Sequence, residues 1–116
     1  MTDTPLTQAL LAALDAHKAL DMIKIDVRQQ TSVTDTMIIC TATSTRHAKT
    51  LSEKATRAGK LMSIRPLSVS GEEDAEWILI DFADVIVHVM LETAREFYSL
   101  ENLWQTTHAA RQAQTD

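Results

Sequence analysis

Three side chains in the second half of the chain could together hold a metal ion. Asp81, Asp84 and His88 combine two carboxylates with an imidazole, and these groups are common ligands of divalent metals. The same residues also have a structural explanation, because Asp is favoured in tight turns and a histidine inside an apolar strand commonly forms a local hydrogen bond. Since such loose spacing specifies no coordination geometry, we favour the structural explanation and expect no bound metal.

The chain also contains side chains that could serve in nucleophilic catalysis, but their spacing does not support it. Neither His17 nor His47 stands where it would pair with Ser44 or Cys40 as an activated nucleophile. His47 falls in the first turn of a predicted helix, where a capping or surface role is expected. Cys40 lies in an apolar run that would bury its thiol and raise its pKa. We therefore expect no catalytic residue and no enzymatic activity.

The segment 40–44 leads from a predicted strand into a predicted helix, which is a common place for a phosphate group to bind. Ala42 and Thr43 occupy the turn, so the segment has neither a Gly-x-Gly pattern nor a Walker motif. The missing glycines disfavour close approach of a pyrophosphate to the backbone. We expect no nucleotide and no other cofactor.

Length and composition describe one soluble globular domain made mostly of regular elements. The chain has 116 residues with only two glycines and two prolines, which excludes collagen-like and glycine-rich disordered classes. A single cysteine excludes an internal disulfide and suits a reducing cytosol. No apolar run reaches the roughly 20 residues that span a bilayer, so we expect a cytoplasmic protein with no membrane partner.

The charge of the chain bears on its partners. Its net charge is −5, and no run of basic residues occurs. Because nucleic-acid affinity comes largely from Lys and Arg at phosphates, direct sequence-specific binding of nucleic acid is not expected. A negative surface is attracted instead toward basic proteins.

Hydrophobic periodicity predicts two helices in the first two thirds of the chain, each with a capping residue. Apolar positions at helical spacing follow Thr4 as far as Leu20, and a second series follows Ser44 as far as Met62. Gly59, near the end of the second helix, is interpreted as a tolerated or terminal glycine rather than a phosphate-binding one.

Strands are predicted where apolar residues alternate or form short runs. Residues 37–40 suit a central strand covered on both faces, and the segment after Pro66 suits an edge strand, because proline cannot donate to a ladder. Two further runs separated by 81–84 predict an antiparallel hairpin. The predicted strands are 22–27, 37–40, 67–69, 77–80 and 85–90.

The order of these elements predicts the fold class. With a last helix over 92–98, the chain reads helix, strand, strand, helix, three strands and helix. This order is typical of a single α/β domain with a mixed sheet flanked by helices. Residues 1–105 are expected to form the domain, and the polar residues 106–116 are expected to form a fraying tail.

Trp77, Phe97, Tyr98 and Trp104 are four of the five aromatic residues in the chain, and they crowd into its last 40 residues. Aromatic residues anchor interfaces as well as cores. A small domain needs some of them for packing, a role that suits Phe97 and Trp104, whereas Trp77 and Tyr98 are candidates for an exposed recognition patch. Composition alone does not separate the two roles.

Three ordered motifs resemble the signature of the ribosomal silencing factor family, whose members are also called Iojap-related proteins. The motifs are WILID at 77–81, VIVHV at 85–89 and REFYSLENLW at 95–104. Upstream, DV at 26–27, TD at 34–35 and STRH at 44–47 occur in the family's order. The resemblance therefore spans roughly Leu6 to Trp104.

The resemblance implies a small fold similar to the nucleotidyltransferase core, without the catalytic motif of that superfamily. It also implies a translational repressor that attaches to ribosomal protein L fourteen on the large subunit. Such a protein blocks joining of the small subunit and slows translation when nutrients are short. We place Trp77 and Leu79, on one face of their strand, at this partner surface together with Tyr98, Leu100 and Glu101.

Two departures from the family pattern leave alternatives open. Ala42 and Thr43 stand where many members have glycine, and Gly71-Glu72 reverses the expected order in the acidic loop. One alternative is a degenerate nucleotidyltransferase-like protein that binds a nucleotide or a metal. Another is a homodimer in which a second copy of the chain covers the aromatic patch.

Overall fold

The computed structural model describes residues 4–29, 32 and 34–98, with the backbone alone for 96–98. Leu100, Glu101 and Trp104 lie outside the described residues. The predicted domain end at 105 and the predicted tail lie there too.

Within the described residues, the elements follow one another in the predicted order. The elements are α1 (Pro5–Ala16), β1 (Leu20–Asp26), β2 (Thr36–Ala42), α2 (Thr45–Leu61), β3 (Ser68–Ser70), β4 (Trp77–Asp81), β5 (Val85–Leu91) and α3 (Glu92–Tyr98).

Among the described residues, no helix is long and apolar enough to cross a membrane.

Both long helices begin at the predicted capping residues. Thr4 Oγ1 accepts a hydrogen bond from the backbone N–H of Thr7 at 3.2 Å. Ser44 Oγ accepts one from the backbone N–H of His47 at 3.1 Å. Each bond satisfies one of the donors that the first turn of a helix leaves without an intrahelical partner.

The end of α1 differs from the sequence prediction. The helix ends at Ala16, whereas the periodicity suggested a continuation to Leu20, which instead begins β1. Lys18 adopts a φ of 68°, and the N–H of Ala19 bonds to the carbonyl of Leu14 at 3.0 Å. This arrangement is a Schellman motif. Because a lysine and not a glycine occupies the left-handed position, the sequence carried no stop signal there.

The strands form one mixed sheet in the order β1-β2-β5-β4-β3. β5 is parallel to β2, from Val85 opposite Thr36 to Leu91 opposite Ala42. All other neighbouring pairs in the sheet, including the predicted hairpin of β4 and β5, are antiparallel. The short β3 lies at one edge, as the proline before it predicted.

A first core lies between one face of the sheet and the helices α1 and α2. Alternate side chains of β2, β4 and β5 point into it and meet the inner faces of both helices. Burial of one such aliphatic side chain contributes about 1.5–3 kcal/mol, so this core holds the two helices on the sheet. Its fully buried members include Leu10, Leu14, Ile38, Leu51, Ile78, Ile80, Val87 and Val89.

A smaller second core occupies the opposite face of the sheet. The short helix α3 packs there on β5 and β2. Helices therefore flank both faces of the mixed sheet, which confirms the predicted fold class. The buried members of the second core are Ile25, Val27, Met37, Ile39, Met90 and Ala94.

Gly59 lies inside α2 and permits close packing against the hairpin loop. A Cβ atom at this position would lie 2.6 Å from Cε1 of Phe82 and 2.7 Å from the carbonyl oxygen of Ile64. Phe82 is itself buried. Gly59 lies in the last turn of α2, as expected, but it is more than tolerated, because a side chain there would meet Phe82 of the hairpin loop and the carbonyl of Ile64.

We expect Gly59→Ala to lower the free energy of unfolding by up to about 2 kcal/mol. Overpacking against Phe82 and the Ile64 carbonyl outweighs the roughly 1 kcal/mol that alanine contributes as a better helix former. Urea unfolding followed by circular dichroism measures the change. Glu53→Ala, at an exposed site of the same helix, is the control and should shift stability by less than about 0.5 kcal/mol. A Gly59→Ala protein as stable as wild type would contradict the packing argument.

Candidate interaction surface

The sheet face that points away from α1 and α2 carries the candidate interaction surface, and we call it the second sheet face. Side chains alternate between the two faces along each strand, so the register assigns its members directly. Its central residues are Ile39, Trp77, Leu79, Ile86, His88 and Met90.

Arg95 anchors α3 over one side of the second sheet face. Its side chain is 8% exposed, and its Nη1 donates to the carbonyl of Asp21 at 2.5 Å and to Oγ1 of Thr41 at 2.8 Å. A buried guanidinium needs such partners to offset its lost hydration. These bonds tie α3 to β1 and β2, and the helix also packs on β5. Half-exposed Trp77 and Leu79 lie on the other side of the face, on β4.

Trp77 and Leu79 lie side by side on the second sheet face, as the alternation of β4 predicted. Both are half-buried, whereas Ile78 and Ile80 between and beyond them are fully buried in the first core. Leu79 lies opposite His88 on β5, and Trp77 packs against the second core. Trp77 is therefore part core and part surface, a combination typical of aromatic anchors at interfaces.

A hydrogen bond joins Trp77 to His88 across the hairpin. The indole Nε1–H donates to Nδ1 of His88 at 2.8 Å, and the ring centroids lie 5.8 Å apart with the planes tilted by 45°. Because Nδ1 accepts this bond, the neutral imidazole carries its proton on Nε2. The expected hydrogen-bonded role of His88 is confirmed, and its partner is the aromatic side chain of the candidate surface.

His88 is a buried base that stays neutral at physiological pH. Its side chain is 5% exposed, and burial lowers its pKa from 6.5 to about 4 because the imidazolium loses its hydration. Within the described part of the chain, Nε2 of His88 has no hydrogen-bond partner. The other central residues of the second sheet face are apolar or, like Trp77, have a hydrogen-bond partner. Nε2–H of His88 differs from them because it is polar, buried and has no such partner among the described residues.

The predicted site residues have different outcomes. Trp77 and Leu79 come together on one face. Tyr98 is the last residue of α3 and only its backbone is described, while Leu100 and Glu101 lie outside the described residues. The role of His88 beside Trp77 was missed, although a hairpin register derived from the loop 82–84 would have made the two residues diagonal neighbours.

The carboxylate of Asp81 and the backbone carbonyl of Asp84, both from the suggested metal set, serve the hairpin turn. Oδ1 of Asp81 accepts a hydrogen bond from the backbone N–H of Ala83 at 2.8 Å, and Ala83 has a φ of 75°. The carbonyl of Asp84 accepts the backbone N–H groups of Asp35 and Thr36, which ties the turn to the start of β2. No group of three or more potential ligands forms a metal site within the described ranges.

The strand-to-helix turn before α2 is occupied by its own hydrogen bonds. The backbone N–H of Thr43 donates to Nδ1 of His47 at 2.9 Å, and Nε2 of His47 lies 2.9 Å from the carbonyl of His17. These contacts confirm a capping role for His47 and use donors that a phosphate would need. Cys40 is buried, which raises the pKa of its thiol to about 12, so it is no thiolate nucleophile.

The pKa of His88 predicts a loss of stability in mild acid. The unfolded imidazole binds a proton below about pH 6.5, whereas the folded one does so only below about pH 4, so the unfolded state is favoured as pH falls between these values. We expect a loss approaching about 3 kcal/mol by pH 4. Urea unfolding at pH 7 and at pH 4.5 measures it.

His88→Phe serves as the control, because it removes the titrating group and should flatten this part of the profile. The ion pair between Asp26 and Arg28 interferes little between pH 7 and pH 4.5. Hydrogen bonds from Arg28 lower the pKa of Asp26 from 3.8 to about 2, so the stability that this pair contributes is lost mainly below about pH 4, as the unfolded carboxyl binds its proton. An unchanged pH profile in His88→Phe would show that burial does not perturb this histidine.

Comparisons with known proteins agree with the fold and the motifs. The family model described as "Ribosomal silencing factor during starvation" matches residues 2–116. The ribosomal silencing factor RsfS of Haemophilus influenzae is 38% identical over 99 residues, which cover 85% of this chain and 97% of that protein. The chloroplastic protein Iojap of Zea mays is 32% identical over 96 residues, which cover 83% of this chain and 42% of that protein.

Solved structures show the same architecture. A crystal structure of a Chromobacterium violaceum protein superposes with a TM-score of 0.86 at 33% identity, covering 90% of this chain and 88% of that one. A Bacillus halodurans structure gives 0.80 at 28% identity, covering 88% and 95%. The match over nearly the whole sequence, supported by relatives above 30% identity, shows that this chain belongs to the ribosomal silencing factor family.

Proposed function

We propose that this chain represses translation in the cytoplasm by binding ribosomal protein L fourteen on the large ribosomal subunit through its second sheet face. The bound protein then blocks joining of the small subunit by steric occlusion and slows translation when nutrients are limited. The single observation that carries the proposal is the half-exposed apolar pair of Trp77 and Leu79, side by side on the second sheet face. Tyr98, Leu100 and Glu101 complete the proposed surface.

The chemistry of this face suits a protein partner. Trp77, Leu79 and Ile86 are half-buried neighbours, and aromatic and aliphatic anchors at the centre of an interface provide most of its binding energy. A standard interface covers about 800 Å² on each partner. A sheet face of this size, extended by the C-terminal motif, can supply such an area.

Charge supports a basic partner. The chain carries a net charge of −5, and opposite charge on the partner speeds encounter and helps to select orientation. Four acidic residues lie in the segment 72–76 immediately before Trp77. A basic ribosomal protein has the complementary character.

Steric occlusion requires only that the protein binds the large subunit and occupies space there. It needs no chemically reacting group. Near the strand ends, His47 and Asp81 have structural hydrogen-bond partners and the Cys40 thiol is buried. The family is named for a regulatory role in ribosomal silencing. The proposed mechanism therefore draws only on the shape and chemistry of the surface.

Co-sedimentation with separated ribosomal subunits tests the proposal. We expect the protein to pellet with large subunits and not with small ones, and to inhibit subunit joining when present before mixing. Leu79→Ala and Trp77→Ala should each weaken binding about tenfold or more, because each removes a central apolar anchor. Binding of purified L fourteen identifies the docking protein within the subunit.

Leu61→Ala is the matched control, because Leu61 is 79% exposed at the end of α2 and lies away from the second sheet face. It should bind like wild type. Circular dichroism of each variant separates loss of binding from loss of fold. If Trp77→Ala does not fold, Leu79→Ala still tests the surface. Failure of the wild-type protein to pellet with large subunits contradicts the proposal, and a mass that doubles with concentration would then assign the face to a second copy.

A further inference from the structure

One polar group of His88, the N–H at Nε2, forms no hydrogen bond with the described residues of the sheet. Its Nδ1 accepts the indole N–H of Trp77, so the proton of the neutral ring lies on Nε2. That N–H is buried and has no hydrogen-bond partner within the part of the chain that the structure describes. Buried donors are almost always paired, and one left unpaired destabilises the folded state.

The neighbours of His88 on the sheet cannot provide the missing acceptor. Ile39 on β2 and Leu79 on β4 lie directly opposite it. Ile86 and Met90 lie on the same face, two residues before and after it along β5. All four side chains lack a strong acceptor.

The diagonal neighbours Thr41 and Asp81 do carry oxygen atoms. However, Thr41 Oγ1 accepts from Arg95, Asp81 Oδ1 accepts from the backbone N–H of Ala83, and neither bonds to Nε2. The described residues of the sheet therefore leave Nε2–H available for an acceptor from outside the sheet.

We infer that Nε2–H of His88 donates a hydrogen bond to a main-chain carbonyl oxygen of the protein that docks on the second sheet face. The inference rests on the proposed function, whose partner it describes more closely: a polypeptide segment that is apolar at the surface and presents one neutral acceptor to the sheet. His88 then determines specificity, and Trp77 and Leu79 supply apolar contact beside it.

A neutral acceptor fits this position better than a carboxylate. The surroundings of Nε2 are apolar, and a carboxylate brought there would lose its hydration, while the guanidinium of Arg95 on the same face already donates to Asp21 and Thr41. The imidazole is neutral at pH 7 because burial lowers its pKa to about 4, so it acts as a neutral donor. A backbone carbonyl is the acceptor that every residue of a partner segment offers.

The partner reaches Nε2 through a small movement of side chains. His88 is 5% exposed, and Leu79 directly opposite it is half-exposed. Rotamer changes of interface side chains are common on binding, while the backbone moves little. On this inference, a change of rotamer at Leu79 or a neighbouring side chain exposes the donor while the ladder between β4 and β5 stays intact.

Two substitutions at His88 test the inference. His88→Phe keeps a ring but removes both nitrogens, and we expect the melting temperature at pH 7 to stay within about 5 °C of wild type while affinity for large subunits falls about tenfold. His88→Gln keeps one acceptor and one donor, and it should recover affinity to within about threefold of wild type. Co-sedimentation gives affinity, and thermal unfolding gives stability.

A double variant separates direct contact from positioning of Trp77. If His88 acted only by orienting the indole, His88→Phe would add nothing in a Trp77→Phe background. We expect a further loss of at least about fivefold, since the donor to the partner is a separate contact. His17→Phe, at the C-terminal end of α1, is the matched histidine control and should leave affinity unchanged.

Three results would overturn the inference while the proposed function stands. They are wild-type affinity in His88→Phe, no added loss in the double variant, and a fall in stability that matches the fall in affinity, which would show that the donor is satisfied within the chain. If wild-type protein does not bind large subunits while it remains folded, the proposed function fails and the inference fails with it.

Discussion

The parallel pairing of β2 with β5 is the contact on which the rest of this structure depends. The two strands run together from Thr36 and Val85 to Ala42 and Leu91 at the centre of the sheet, and they are buried over most of their length on both faces. A parallel pair needs a crossover between its strands. Here α2 and the strands β3 and β4 lie in that crossover. The pairing of β2 with β5 therefore goes with α2 on one face of the sheet and with β4 on the side of β5 that faces away from β2.

The two faces of the sheet differ in how they are covered. α1 and α2 close one face over a continuous aliphatic core, and Gly59 lets α2 approach the ring of Phe82 closely. On the other face, α3 is held by buried hydrogen bonds from Arg95. Apolar side chains toward β4 stay half-exposed there, which turns part of a core-like face into a surface suited to binding.

The Trp77 and His88 pair links this surface to the fold. Trp77 contributes packing to the second core and presents the rest of its ring at the surface. Its bond to Nδ1 of His88 holds the indole and directs the remaining imidazole proton to Nε2. A donor of this kind, placed among aliphatic side chains, favours partners that bring an acceptor and disfavours those that do not. The pair therefore contributes to stability, and in the proposed function it contributes to recognition as well.

The sequence by itself determined the elements, their order, the caps at Thr4 and Ser44, the hairpin and the family. These features follow from short-range periodicity and from side chains that bond to the backbone a few residues away. Only the tertiary structure decided that β5 lies between β2 and β4, that Gly59 meets Phe82, and that Trp77 bonds to His88. Each of these depends on packing between distant segments, and the end of α1 at a non-glycine residue shows that even a local boundary can lack a local signal. The physical reason is that a local sequence pattern reflects whether each residue is buried or exposed. Which distant residue it contacts depends on how the whole chain packs.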